Sequence, residues 1–300
     1  MNLRLFTGAA VLFAAVAQDL ADAGERPPLV TVNGRAITDA DVDAMMRSRQ
    51  VPEKLRPVVR KAFVERLIDD HLLRAFLDSR KVTAPKVLID REVSRIFKQI
   101  RKQGGKPADV LKQRGLDDAK LRKELSLPVA WNVYARRIVS DREIKQRFRS
   151  RRAEFDGTWI RARQIVLKLP GDAAGKRKAL QRLEKLRSDI AAGNISFADA
   201  AKKHSTSPTA KNGGDLGFFP YRGKMPRAIA RVAFRLKDKQ ISKPFVTPFG
   251  VHLVQVTERK PGQLSLEDAR PEMFRQIARE RRRETVLRLR KSAKIVRSGE

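Results

Sequence analysis

Three hundred residues allow about two domains, and a hydrophobic share of 41% is enough to build cores in both. The formal net charge of +32 favours acidic partners, anionic surfaces or nucleic acid and opposes self-association; its bland counterpart is a solvated basic face. The absence of cysteine excludes disulfides, thiol nucleophiles and thiolate metal sites, and three histidines (His71, His204, His252) argue against an imidazole metal centre.

The chain begins with Arg4 and an apolar run from Leu5 to Ala17, with small-residue sites ending at Ala17 and Ala23. The pattern predicts a secretory signal peptide over residues 1–23, cut after Ala17 or Ala23. The mature chain is then expected outside the cytoplasm, most naturally in a periplasm. No later apolar run reaches membrane-spanning length, so no transmembrane segment is expected in it.

Next comes LVTVNGRAIT, in which β-formers flank Asn33-Gly34, a hairpin signal. Thr38, three residues before Asp41, predicts a capped helix through about Arg49. Helical spacing of Val59, Phe63, Leu67, Leu72, Leu73 and Phe76 predicts a long helix from Glu53 to Arg80. Further helices are expected from Pro85 to the Gly104-Gly105 pair, from Ala108 to Arg114, and from Asp117 towards Val139 with Pro128 inside. Another begins at Ser140 and ends before Gly157. Residues 28–156 therefore read as a helical domain.

At Thr158 the character changes. WIRARQIVLKL alternates and is rich in β-branched residues, as a strand should be. Asp172–Ala192 and Ser196–His204 read as helices, Pro226–Phe234 as a shorter one, and PFGVHLVQVTER as a turn and strand. This mixture over residues 157–262 is the signature of an α+β domain. Pro261-Gly262 marks its exit. A last helix is expected from Ser265 to as far as Val296, with Met273, Ile277, Val286 and Leu289 as its apolar stripe. A single helix cannot bury its own stripe, so residues 263–300 are expected to dock on the helical domain. The middle domain would then be an insertion into a discontinuous, all-helical one.

Five segments, RARQIVLKL, FADAAKKHSTSP, NGGDLGFF, GKMPRAIARVAF and VTPFGVHLVQV, together resemble a parvulin-type peptidyl-prolyl cis-trans isomerase across residues 158–260. The surrounding VNGRAITDADVDAMM, VSDREIKQRF and the last helix resemble the extracytoplasmic SurA/PrsA class of foldases in arrangement. The resemblance implies a small four-stranded antiparallel sheet flanked by helices. It also implies that Gly213-Gly214-Asp215-Leu216-Gly217 forms the tight approach to an inner strand, where glycine is a backbone requirement.

A prolyl amide resists rotation by a barrier of about 18–20 kcal/mol because it is conjugated. No bond need break, so a catalyst has only to hold the twisted amide better than the planar one. A dry pocket for the ring and a few fixed hydrogen-bonding groups suffice, with no metal, nucleophile or cofactor. On the resemblance, Met225 and Phe249 take pocket positions, Ile229 stands where phenylalanine is usual, Phe234 matches a deeper aromatic, and Leu216 lines the floor. Ordinary core is the alternative for the apolar residues.

Thr247 and His252 fit the family's threonine and second histidine. Gln164 replaces the usual first-strand histidine and Ser207 the usual cysteine or aspartate. A ring of Gln164, Ser207, Thr247 and His252 would retain hydrogen bonding without paired-histidine titration. The partners implied are unfolded or proline-containing polypeptides, with anionic surfaces as a further possibility. Specific nucleic-acid binding is not expected, because basic patches lack interleaved aromatics. Two readings stand side by side: an isomerase and chaperone for exported proteins, or a weak or inactive parvulin domain acting only as a peptide-binding chaperone.

Overall fold

The structure, a computed structural model, describes residues 27–169 and 171–298, so the expected signal peptide lies outside the described residues. Contacts divide the chain into two units. One holds the chain up to Ile138 and from Ala278 onward; the other is Val139–Ile277.

The first unit opens with a hairpin, β1 (Val30–Val32) and β2 (Arg35–Ile37). Asn33 and Gly34 between them both have positive φ (49° and 82°), the turn geometry that matches strand twist. The helices follow as α1 (Asp39–Ser48), α2 (Arg56–Ser79), α3 (Lys86–Lys102), α4 (Pro107–Gln113) and α5 (Asp118–Ile138). Thr38 caps α1 through a reciprocal box, its hydroxyl accepting from the Asp41 amide while the Asp41 carboxylate accepts from the Thr38 amide at 2.8 Å. The hairpin and α2 share a core of Val30, Val32, Ile37, Ile68 and Leu72. Val93, Leu111 and Leu121 bind α3, α4 and α5 together.

The chain's last elements return to this unit. The final helix stops at Ser292, short of the expected Val296, because Ile295–Arg297 forms a strand antiparallel to β1, with Val30 opposite Arg297. The helical unit thus also holds a three-stranded sheet. Arg290 donates to Asp69 and Glu65 on α2, Arg297 to Glu65 (2.8 Å), and Arg282 to Asp70 (2.8 Å). Trp131 Nε1 donates to the Ala278 carbonyl at 3.0 Å.

The second unit contains α6 (Asp141–Ser150), β3 (Trp159–Leu167), α7 (Ala173–Ala191), α8 (Phe197–His204), β4 (Asp215–Pro220), α9 (Arg227–Ala233), β5 (Phe245–Thr247) and β6 (Gly250–Lys260). It also holds the first turns of α10 (Leu266–Ser292); the strand that follows α10 is β7 (Ile295–Arg297). Its sheet is antiparallel throughout, in the order β4-β3-β6-β5. Strand β4 is therefore an edge, not the inner strand expected.

Side chains alternate between the two faces of the sheet. Ile165, Leu167, Val251 and Leu253 pack on α7 and α8 through Leu183, Leu186 and Phe197. Ile160, Ala162, Val254 and Val256 pack on the opposite side with Phe219, Ile229, Ala233 and Phe234.

The boundaries expected at 157 and 262 fall inside this unit, and the residues there form a clasp. Thr158 donates its amide and hydroxyl to the Asp156 carboxylate. Gly262 N donates to Thr158 Oγ1 at 3.0 Å, and Leu264 N to the Asp156 carbonyl at 2.9 Å. Ile144 and Phe155 then bury Ala269, Met273 and Ile277 from the start of the last helix. The stripe expected to dock whole on the helical domain is divided, with Met273 and Ile277 in this cluster and Leu289 in the core of the first unit. Among the described residues no helix is long and apolar enough to cross a membrane, and no group of three or more His, Asp or Glu is placed to hold a metal.

Candidate functional site

Gln164 on β3 and His252 on β6 lie on the α9 side of the sheet, on the same face as Ala162 and as Val254 and Val256, from which they are two or four residues removed. The register puts Val166 opposite His252 on one side and Phe245 opposite it on the other. Phe245 stacks on the imidazole, with centroids 5.4 Å apart and planes inclined at 21°.

The polar residues form two separate pairs, not the single ring expected. Thr247 Oγ1 and His252 Nε2 are 2.8 Å apart, and the Phe249 amide donates to Thr247 Oγ1 at 3.0 Å. Gln164 Nε2 donates to Ser207 Oγ at 3.2 Å. That hydroxyl also accepts from the Thr209 amide (3.3 Å) and lies 3.0 Å from Thr209 Oγ1. A hydroxyl offers one donor and two acceptor sites, so Ser207 is saturated once its hydrogen points at Thr209. The buried Gln164 Oε1 and His252 Nδ1 have no hydrogen-bond partner among the described residues. Burial holds the His252 imidazole below its ordinary pKa, so it is neutral at pH 7. Neither pair offers a charge; both are fixed, uncharged dipoles.

Glycine explains how Gln164 is placed. Gly214 has φ +77°, and a Cβ there would lie 2.2 Å from the Gln164 carbonyl oxygen. Its carbonyl accepts from Gln164 N at 2.9 Å, and its amide donates to the Thr209 carbonyl at 2.9 Å. The backbone of the GGD segment thus touches Gln164 and Thr209, the two ends of the Gln164–Ser207–Thr209 chain, and the Gln164 backbone leaves no room for a side chain there.

The apolar residues divide by exposure. Ile229 and Phe234 are buried within the cluster on this face, so they are core that supports the site. Leu216 and Met225 pack against the same cluster and remain partly open, as a ring-binding surface must. Phe249 is 70% exposed at the turn between β5 and β6, so it lines no closed pocket here. Two site residues escaped the sequence. Thr209 fixes Ser207, and Phe245 stacks on His252. The latter was signalled by its spacing of two from Thr247. His204 meets Arg182 at 3.3 Å and takes no part in either pair.

Residues 165–258 match the model of the PPIC-type rotamase (PPIase) domain. The span includes Ser207, Thr247 and His252 and begins one residue after Gln164. The chain is 40% identical over 127 residues to the chaperone SurA of Polaromonas sp., covering 42% of this chain and 26% of that protein. It is 29% identical over 172 residues to the foldase protein PrsA of Bacillus subtilis, covering 57% and 53% respectively. The chain thus spans about a quarter of the SurA relative and about half of the PrsA relative. Among solved structures, the peptidylprolyl isomerase PrsA of Bacillus anthracis aligns with a TM-score of 0.45 at 21% identity, covering 76% of this chain and 96% of that one.

Proposed function

The chain carries a parvulin-type domain and is a SurA/PrsA-like relative, and from that premise we propose that it is a prolyl isomerase and chaperone acting on unfolded, proline-containing polypeptides. One observation carries the reading: Met225 and Leu216 stay partly open on the same sheet face as two preorganised, uncharged polar pairs. The apolar surface takes the proline ring. Gln164, with one N–H engaged by Ser207, has a second N–H for the twisting amide, and Thr247 is held by His252. Because both pairs are neutral, rate acceleration comes from desolvation and fixed dipoles.

Gln164 and Ser207, standing where the family has histidine and cysteine or aspartate, favour a second reading in which the face binds peptide without catalysis. The arginine-led apolar segment 4–17 supports action on exported clients outside the cytoplasm. A protease-coupled assay on prolyl peptides, run beside an aggregation assay with an unfolded client, separates the two. Acceleration supports the isomerase; suppressed aggregation with no acceleration leaves only the chaperone.

A further inference from the structure

The candidate face is bordered by an uneven distribution of charge. The whole chain has 66 Lys and Arg against 34 Asp and Glu, about two to one. From Ser205 to Arg235, the segment that supplies Ser207, Leu216 and Met225, there are six cations and a single carboxylate, Asp215. That carboxylate is already engaged by Arg161, whose guanidinium donates to both its oxygens and holds it below the usual range. Two of the six cations are also engaged: Arg222 pairs with Glu272, and Lys224 donates to the Phe218 carbonyl.

Arg227, Arg231 and Arg235 are different. All three are exposed and have no ion-pair partner among the described residues. They are spaced by four along α9 and its final turn, so they share one side of it. The residues between them, Ile229, Ala230, Ala233 and Phe234, are buried. The stripe starts two residues after Met225, within about 8 Å along the chain. Successive arginines are about 6 Å apart along the helix axis, close to the two-residue repeat of about 6.6 Å in an extended peptide.

We infer that this stripe selects the substrate: the Met225 face takes prolyl segments with carboxylates at alternate positions beside the proline. The inference rests on the reading of that face as a prolyl-peptide site. Its cause is local and distinct from the overall charge, because replacing three arginines lowers the formal charge only from +32 to +29.

The test uses the full chain and fluorescein-labelled peptides with a central Ala-Pro and Glu at alternate flanking positions, with Gln and Lys counterparts. Binding is read by anisotropy at low salt. The Glu peptide should bind about five- to tenfold tighter than the Gln peptide, the size of two or three exposed charge pairs. R227Q/R231Q/R235Q should bring the two within about twofold, and R231Q alone should fall between. A control triple, K176Q/R177Q/K178Q, removes the same charge from exposed positions on α7, which packs on the opposite sheet face, and should keep the preference. No preference in the wild type, or equal loss in both triples, overturns the inference. Exchange rates on the same peptides judge the isomerase reading separately: no acceleration with an intact ranking of affinities sinks catalysis and leaves selection standing.

Discussion

Replacing Thr247 by valine removes one oxygen at nearly constant volume. Thr247 is 5% and His252 2% exposed, so water has little access to the imidazole once the hydroxyl is gone. Two bonds involve that oxygen: one with His252 Nε2 at 2.8 Å, and one donated by the Phe249 amide at 3.0 Å. The Phe249 amide lies at an exposed turn and can find solvent, so the main loss is one unsatisfied imidazole nitrogen, about 2 kcal/mol. With a urea slope of about 2 kcal/mol/M, the unfolding midpoint of the 139–277 unit should fall by about 1 M. Thr247→Ser keeps the hydroxyl and loses only a methyl, about 0.8 kcal/mol or roughly 0.4 M. Hydrogen exchange of peptides from 250–260 across a urea series reports this unit by itself. Equal midpoints for the valine and serine variants would refute the reasoning, because the hydroxyl would then contribute nothing beyond its carbon.

Burial lowers the His252 pKa from an ordinary 6.5, so as pH falls the unfolded chain takes up the proton first. Stability of the 139–277 unit should be full above pH 6.5 and fall between 6.5 and the lowered value, by up to about 1.4 kcal/mol per pH unit; His252→Gln should flatten that loss in urea titrations at pH 7 and pH 5. Gly214→Ala should shift strand β3 at Gln164 and lower this unit's melting temperature, while leaving exchange in 30–37 unchanged. In the other unit, burial alone would raise the Glu65 pKa, yet bonds from Arg290 and Arg297 outweigh it and lower it. Arg290→Met should therefore cost about 1 kcal/mol, seen as faster exchange at 295–297 and weakened in the wild type by salt.

Much of the fold was legible because its signals are local. Thr38, Ser140, Asp172 and Ser196 each cap a helix through the amide three residues on, a pattern confined to four residues. Strands Phe245–Thr247 and Ile295–Arg297 were not legible as strands, since each has only three residues; the first pairs with β6 across a two-residue turn, and the second exists through a distant partner, with Ile295 opposite Val32. Edge position likewise depends on the order of pairing, so Asp215–Pro220 could not be placed from its glycines alone. Within the site, Gln164, Ser207, Thr247 and His252 were singled out by their match to the family's positions, as members of one ring, and the structure joins them as Gln164–Ser207 and Thr247–His252. Their separation into two pairs follows from Ser207 being used up by Thr209, a bond no spacing rule announces. Phe249 reads as a pocket aromatic by resemblance, yet the tight turn into Gly250 leaves it in solvent.

The central claim is that an open apolar surface, with uncharged polar neighbours, turns the prolyl amide. Exchange NMR on an Ala-Pro peptide measures that turnover directly, without a coupling protease. Cis–trans exchange should be faster with the wild-type protein than in buffer. Met225→Ala should remove most of the gain, and Gln164→Leu should reduce it. The same exchange rate with and without the protein, or an unchanged gain in Met225→Ala, would contradict the account.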